Sequence, residues 1–287
     1  MGSNRTPSLP RPTTAAGADG LAALLAAPGK AVVALDFDGT LAEIVPDPEQ
    51  ARAHPDAVPA LAALAPHLAS VVVITGRPAA VAVEYGGFAG VPGLDGLVVL
   101  GHYGAERWDA DSESGAPRTP PPHPGVAAAR AELPDLLGRF AAGQDVRVED
   151  KGHAFAVHTR RAAEPVAAFD ALRPPLEDLA ARHGLLLEPG RMVLELRPPG
   201  MDKGVALTAF AREKGAETVV YAGDDLGDLA AYDAVDALRS EGRGGLLVSS
   251  GAATPELTAR ADLALDGPAD LAAFLAGLAA RLGGNGR

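Results

Sequence analysis

Four short apolar runs stand out along the chain: AVVAL at 31–35, VVVIT at 71–75, LVVLG at 97–101 and TVVYAG at 218–223. None alternates with polar residues, and such a run predicts a strand buried on both faces, as in a parallel sheet. Helical stretches are expected at about 59–68, from 203 to about 214, and at about 268–282, the last apolar on one face. Strands and helices in this alternation predict an α/β fold with a doubly wound, mainly parallel sheet. LAALLAA at 21–27 predicts a short helix ending at Pro28-Gly29, just ahead of the first strand. Residues 1–18, rich in Pro, Thr, Ser and Gly, read as a disordered tail, and the closing GGNGR as frayed.

The periodicity changes in the middle of the chain. Residues 109–124 are polar and proline-rich, a linker by composition, and 125–142 are helical in pattern. VRVEDKGHAFAVHTR at 146–160 alternates, predicting two antiparallel strands that turn near Lys151-Gly152. A second helix is expected over 162–183, and a further hairpin over 185–197 with Pro189-Gly190 at its turn. The order αββαββ, bounded by linkers, predicts a small α+β cap domain inserted into the larger one. The expected organisation is a flexible tail and short helix over 1–29, a first core segment over 30–108, the cap over 109–197, and a second core segment over 198–287.

The polar residues that end the apolar runs carry the candidate chemistry. The first strand runs into Asp36, Asp38, Gly39 and Thr40. Residues two apart on a strand share a side, so both carboxylates reach one point past the strand end, where open α/β sheets bind ligands. Two acids held close repel unless a cation lies between them, and oxygen-only ligands suit Mg²⁺. An EF-hand loop counted from Asp36 would need its glycine sixth and a glutamate twelfth; Gly39 comes fourth and Asp47 stands twelfth. An acidic turn of structural use, or a glycosidase carboxylate pair about 5 to 9 Å apart, fits the local residues too. The second run ends in Thr75, Gly76 and Arg77, where Thr75 offers a hydroxyl beside the acids or a helix N-cap. The fourth ends in Asp224-Asp225-Leu226-Gly227-Asp228. Lys203, one of four lysines in the chain, opens a helix near the same sheet edge, either toward the acids or as a solvated helix start. Acids, a metal, a hydroxyl and a lysine together make a phosphoryl-transfer site.

Composition narrows the classes. The chain has 287 residues, 47% hydrophobic, enough for one large domain or two modest ones. A net charge of −12 points to neither a nucleic-acid groove nor an anionic membrane surface. The absence of cysteine excludes disulfides, thiolate nucleophiles and cysteine zinc sites, and is compatible with a reducing compartment. No apolar run reaches the length of a membrane span, and residues 21–27 follow Asp19 rather than a basic cluster, unlike a secretory signal. The expectation is a cytoplasmic monomer acting on a small molecule, with neither nucleic acid nor membrane as partner.

DFDGT, ITGR, the Lys203-Gly204 pair and GDDLGD, in that order, resemble the haloacid-dehalogenase-like (HAD-like) phosphatases, and the inserted α+β cap resembles their sugar-phosphatase branch. Within it DFDGTLAEIVPDP, ITGRP, YGAE, the Glu149-x-Lys151 pair, HTR at 158–160 and ELRPPGMDKG are similar to the trehalose-6-phosphate phosphatase family, over about 30–280. That resemblance implies a HAD-like Rossmannoid core and Mg²⁺-dependent hydrolysis of trehalose 6-phosphate through an aspartyl-phosphate. It implies Asp36 as nucleophile, Asp38 as acid and base, and Asp36, the Asp38 carbonyl and Asp224 as metal ligands, with Asp225 and Asp228 in or just behind that set. Thr75 and Lys203 would hold the phosphoryl group. Gly76, Arg77, Glu149, Lys151 and Glu195 would meet the substrate, the last three at its sugar. Glu149 and Lys151 share strand parity and could sit with Glu195 on one sheet face, which supports that role, with a surface salt bridge and a solvated Glu as the alternative; His158 and Arg160 read as structural or rim residues. Two places depart from the family: after GDD, Leu226-Gly227-Asp228-Leu229-Ala230 keeps only the middle acid where Thr-Asp-Glu-Asp is usual, and Tyr103 stands where His often precedes Gly-x-Glu. A phosphatase of another sugar phosphate (sucrose 6-phosphate, or mannosyl- or glucosyl-phosphoglycerate), a HAD-like phosphomutase, and a non-catalytic sugar-phosphate module are the alternatives.

Overall fold

In the computed structural model, residues 9–190 and 192–284 are described. After helix α1 (Ala15–Ala26), the first half builds strand β1 (Ala31–Leu35), helix α2 (Ala57–Leu64), strand β2 (Ser70–Ile74), helix α3 (Ala79–Gly86) and strands β3 (Leu97–Gly101) and β4 (Glu106–Asp109). The intervening module holds α4 (Pro124–Phe140), β5 (Arg147–Asp150), β6 (Phe155–His158), α5 (Pro165–Arg182), β7 (Leu186–Gly190) and β8 (Val193–Arg197). The chain then adds α6 (Lys203–Glu213), β9 (Thr218–Gly223), α7 (Leu229–Ser240), β10 (Gly244–Ser250), α8 (Pro255–Arg260), β11 (Leu263–Leu265) and α9 (Pro268–Gly284).

Seven strands form one sheet in the order β11-β10-β9-β1-β2-β3-β4, parallel except for β4. Successive residues of one strand serve opposite cores. Val33 and Leu35 pack with Leu61, Leu64 and Phe274 on one face, while Val32 and Ala34 pack with Leu207, Phe210 and Tyr232 on the other. Both faces are covered by helices, which is why these strands lack polar alternation. β1 pairs with β2 on one side and β9 on the other, so the strand order reverses at β1. That switch point, at the carboxyl ends of the strands, is where open α/β sheets place their ligands.

Three expectations are corrected. Part of the expected disordered tail is ordered: Thr13 N–H donates to the Asp262 carbonyl (2.7 Å) and Thr14 caps α1 by accepting the Gly17 N–H; residues 1–8 lie outside the described residues. At the other end Gly283 and Gly284 belong to α9, and 285–287 lie outside the described residues. Second, residues 109–119 pack with the large unit. β4 pairs antiparallel with β3, Arg107 and Arg118 exchange backbone hydrogen bonds, and the Trp108 indole donates to the Gly115 carbonyl (3.1 Å). By compactness the chain divides into the residues up to Thr119 with those from Asp202 on, and Pro120–Met201. Third, Pro189 and Gly190 are not the hairpin turn but the end of β7, with Gly190 opposite Val193. β7 is an edge strand of the four-stranded antiparallel sheet β5-β6-β8-β7, and an edge is where a strand tolerates proline. That sheet and α4 and α5 close over a separate core containing Phe155, Val157, Leu172, Leu176, Leu194 and Leu196.

Candidate active site

β1 delivers Asp36 to the switch point. Its N–H donates to the Ala222 carbonyl (2.9 Å), so residue 36 still lies alongside β9, and its side chain is buried. Phe37, fully buried, anchors the chain there. The backbone then turns at Gly39, whose φ is 76°. The Gly39 N–H donates to the Ala42 carbonyl (2.7 Å) and its carbonyl accepts from Ser250 Oγ (2.8 Å). A Cβ at Gly39 would sit 2.0 Å from Asp224 Oδ2, so only glycine allows both the turn and the close approach of the next acid.

β9 ends in that acid, and the following turn is built around Asp228. Its Oδ2 accepts the backbone N–H groups of Asp224 (2.9 Å) and Asp225 (3.0 Å), and its Oδ1 accepts from Lys203 Nζ (2.6 Å) and the Tyr221 hydroxyl (2.5 Å). Lys203 is the first residue of α6, whose start is fixed by Asp202 accepting the Val205 N–H (2.8 Å). Its ammonium bridges Asp228 and Asp36 Oδ1 (2.8 Å), and it is only 4% exposed. A solvated helix start is therefore ruled out; this is a buried ion cluster.

The electrostatics of the cluster are lopsided. One ammonium faces four carboxylates. Burial pushes the Asp36 carboxyl well up, Lys203 opposes that, and Asp228 and Asp224 add to it. Asp224 is pushed up to about 7, by burial first and then by the charges of Asp228 and Asp225. Asp228 goes the other way: burial raises it, but Lys203, Tyr221 and the backbone donors outweigh that and hold it below its ordinary value. Lys203 loses from burial and gains more from Asp36 and Asp228, so it stays charged. The excess negative charge is a demand for a further cation. Asp36, Asp224 and Asp228 each offer an oxygen within 4.8 Å of the others, and an all-oxygen set with that charge fits a hard divalent ion such as Mg²⁺.

β2 contributes Thr75, buried, whose hydroxyl accepts the Arg77 N–H (3.1 Å) and whose carbonyl accepts the Tyr103 N–H (3.0 Å). Thr75 is thus a turn residue and not the helix cap; the first N–H of α3, at Ala79, is taken by Glu106 Oε2 (2.7 Å). Arg77 reaches Asp38 with a two-pronged hydrogen bond, Nε to Oδ2 and Nη2 to Oδ1, both 2.6 Å. Its guanidinium lies 5.7 Å from the Phe37 ring centroid and 5.2 Å from that of Tyr85. Gly76 lies against the Tyr103 hydroxyl, and Tyr103 itself has φ 57°.

The second unit holds the remaining expected residues. Glu149 pairs with Ala156, and Ala156 with Glu195, so both glutamates share one sheet face. Lys151 Nζ donates to Glu195 Oε2 (2.5 Å), and Glu149 Oε2 meets His158 Nε2 (2.8 Å). Lys151 is thus joined to Glu195, across the sheet from the end of β5. Tyr221, Ser250, His158 and Thr40, whose hydroxyl donates to Asp224 Oδ1 (3.4 Å), were not singled out from sequence as site residues; each is defined by a contact with a residue distant in the chain or across a sheet, which no local pattern reports.

Sheet order, strand-end acids and buried lysine together define a HAD-like α/β protein with a separate α+β module. A family model described as trehalose-phosphatase matches residues 34–265, and the chain belongs to that family. It is 36% identical, over 98% of its length, to the trehalose-phosphate phosphatase of Mycobacterium avium, of which it covers 69%. It is also 37% identical, over 71% of its length, to an uncharacterized glycosyl hydrolase of Mycobacterium tuberculosis, and it spans only 15% of that protein. Among solved structures, the C-terminal domain of Candida albicans trehalose-6-phosphate phosphatase superposes with a TM-score of 0.70 over 95% of this chain and 99% of that one, at 19% identity, a likeness of fold. Among the described residues no helix is long and apolar enough to cross a membrane.

Proposed function

We propose that the chain is a Mg²⁺-dependent phosphatase that hydrolyses trehalose 6-phosphate to trehalose and phosphate. The observation that carries this is the buried Lys203 ammonium between Asp36 (2.8 Å) and Asp228 (2.6 Å), with Asp224 beside them, at the switch point of the sheet. The family match and the M. avium relative's name support the substrate.

In this reading Asp36 attacks phosphorus, the bond from phosphorus to the sugar oxygen breaks, and Asp38 gives that oxygen a proton, leaving an aspartyl-phosphate. Water then attacks phosphorus, Asp38 takes its proton, and phosphate leaves with Asp36 restored. Asp38 accepts from Arg77 through both oxygens, so delivering a proton to the sugar requires it to turn out of that pair. Lys203 and the Thr75 hydroxyl hold the phosphoryl oxygens, and Gly76 and Arg77 line the approach. Asp36, the Asp38 carbonyl and Asp224 would hold Mg²⁺, with Asp225 and Asp228 in or just behind that set, and the bound ion offsets charge on the phosphoryl oxygens. Glu149, Lys151 and Glu195 read the sugar hydroxyls. A cytoplasmic monomer belongs to the same proposal, checked by fractionation and light scattering.

The test is a panel of sugar phosphates assayed for free phosphate with Mg²⁺ and with EDTA. Trehalose 6-phosphate is expected to be hydrolysed well ahead of sucrose 6-phosphate and mannosyl-phosphoglycerate, and EDTA to abolish all turnover. Equal rates across the panel would overturn the substrate, and activity unaffected by EDTA would overturn the metal.

A further inference from the structure

β9 carries a second device aimed at the cluster, besides the aspartate at its end. Tyr221 is fully buried on this strand, between partners Ala34 on β1 and Leu247 on β10, with its ring edge-on to Tyr232 (centroids 6.2 Å apart). A purely apolar position there would be served by phenylalanine. Instead the hydroxyl donates to Asp228 Oδ1, the same oxygen that receives Lys203. Two residues on, Gly223 leaves the space for Asp228 to approach, since a Cβ there would lie 2.2 Å from its Cγ. Two positions of one strand are therefore fitted to one buried carboxylate.

We infer that Tyr221 is a positioning residue for the reaction, acting through Asp228 to set where Lys203 stands between Asp228 and Asp36. The inference rests on Lys203 holding the phosphoryl group, as proposed above. Four donors fill the Asp228 carboxylate: two backbone N–H groups on Oδ2, and Lys203 and Tyr221 on Oδ1. With donors on both oxygens, this carboxylate is held against rotation. The tyrosine also competes with Lys203 for Oδ1. Without its hydroxyl, Oδ1 is left to the ammonium alone, which is drawn toward Asp228 and away from Asp36.

The experiment compares full-length wild type with Tyr221→Phe. Phosphate release from trehalose 6-phosphate in Mg²⁺ should show kcat down about tenfold or more with KM within about twofold. In parallel, metal-free protein labelled with ¹⁵N-lysine is read by NMR; four lysines give at most four ammonium signals, and Lys203→Arg assigns the buried one. Its solvent exchange should change by about tenfold or more in Tyr221→Phe. A fall in melting temperature alone, with kcat and exchange as in wild type, would make Tyr221 an ordinary core residue and overturn the inference; so would altered exchange with unchanged kcat. If wild type releases no phosphate from any sugar phosphate, the functional reading fails, and the exchange measurement still decides whether Tyr221 governs Lys203. Should Tyr221→Phe not fold, Asp228→Asn breaks the same link at its centre, and an unchanged Lys203 exchange rate there overturns the route through Asp228.

Discussion

Gly39 ties two strand ends together, because its missing side chain is what lets Asp224 come up against the turn after Asp36. Replacing it by alanine puts a non-glycine residue at φ 76° and a Cβ 2.0 Å from a carboxylate oxygen. The Gly39→Ala enzyme is expected to lose about 1–3 kcal/mol of stability in urea unfolding from the backbone conformation, and about a hundredfold in kcat from the displaced acid. Activity within twofold of wild type would show that Asp224 has no fixed place in the reaction. Much at this scale was legible in advance. Asp36, Asp38 and Asp224 stand out as the polar residues that end buried runs, since a strand end fixes position and direction; Lys203 stands out as a rare lysine opening a helix near that edge. The pairing of Arg77 with Asp38 and of Tyr221 with Asp228 was not, because those contacts depend on side-chain reach between separate elements.

Strands β1, β3 and β9 fall where the apolar runs place them, because a strand covered on both faces writes its burial into every residue. β4 was missed for the opposite reason. Its residues ERWD alternate and only Trp108 is buried, as suits an antiparallel edge. What holds this edge is charge. Arg107 donates to Asp109 (2.9 Å from Nε) and to Glu213 on α6 (2.6 Å from Nη1), and Arg118 donates to Asp109 (2.6 Å). Burial pushes the Asp109 carboxyl up, but the hydrogen bonds and charges of Arg107 and Arg118 outweigh it and leave it below its ordinary value of 3.8. Glu213 is held below 4.5, chiefly by its hydrogen bonds from Arg107. A carboxylate with a lowered folded pKa stabilises the fold above the ordinary carboxylate range, and that contribution is lost as pH falls through and below it. Arg107→Gln should therefore lower the melting temperature at neutral pH and flatten its fall on acidification below about pH 5. Parallel melting curves for the two proteins across that range would show the network to be inert.

The whole molecule is two cores, each with its own chemistry. The large unit presents the buried cluster of Lys203 with Asp36 and Asp228; the smaller carries Glu149, His158 and Glu195 on one face of its sheet, with Lys151 joined to Glu195. The sequence announced the smaller unit by a change from unbroken apolar runs to alternation. Its first boundary was placed early because residues 109–119 look like a linker by composition yet fold back on β4. The proposed reaction turns on Asp36 as the group that takes the phosphoryl from the sugar. Its most direct test is phosphate release from trehalose 6-phosphate in Mg²⁺ by wild type and by Asp36→Asn, which keeps the shape of the side chain and removes the nucleophile. Turnover by wild type, with a loss of about a thousandfold or more in the variant, is the predicted result. Equal release by both proteins would contradict it.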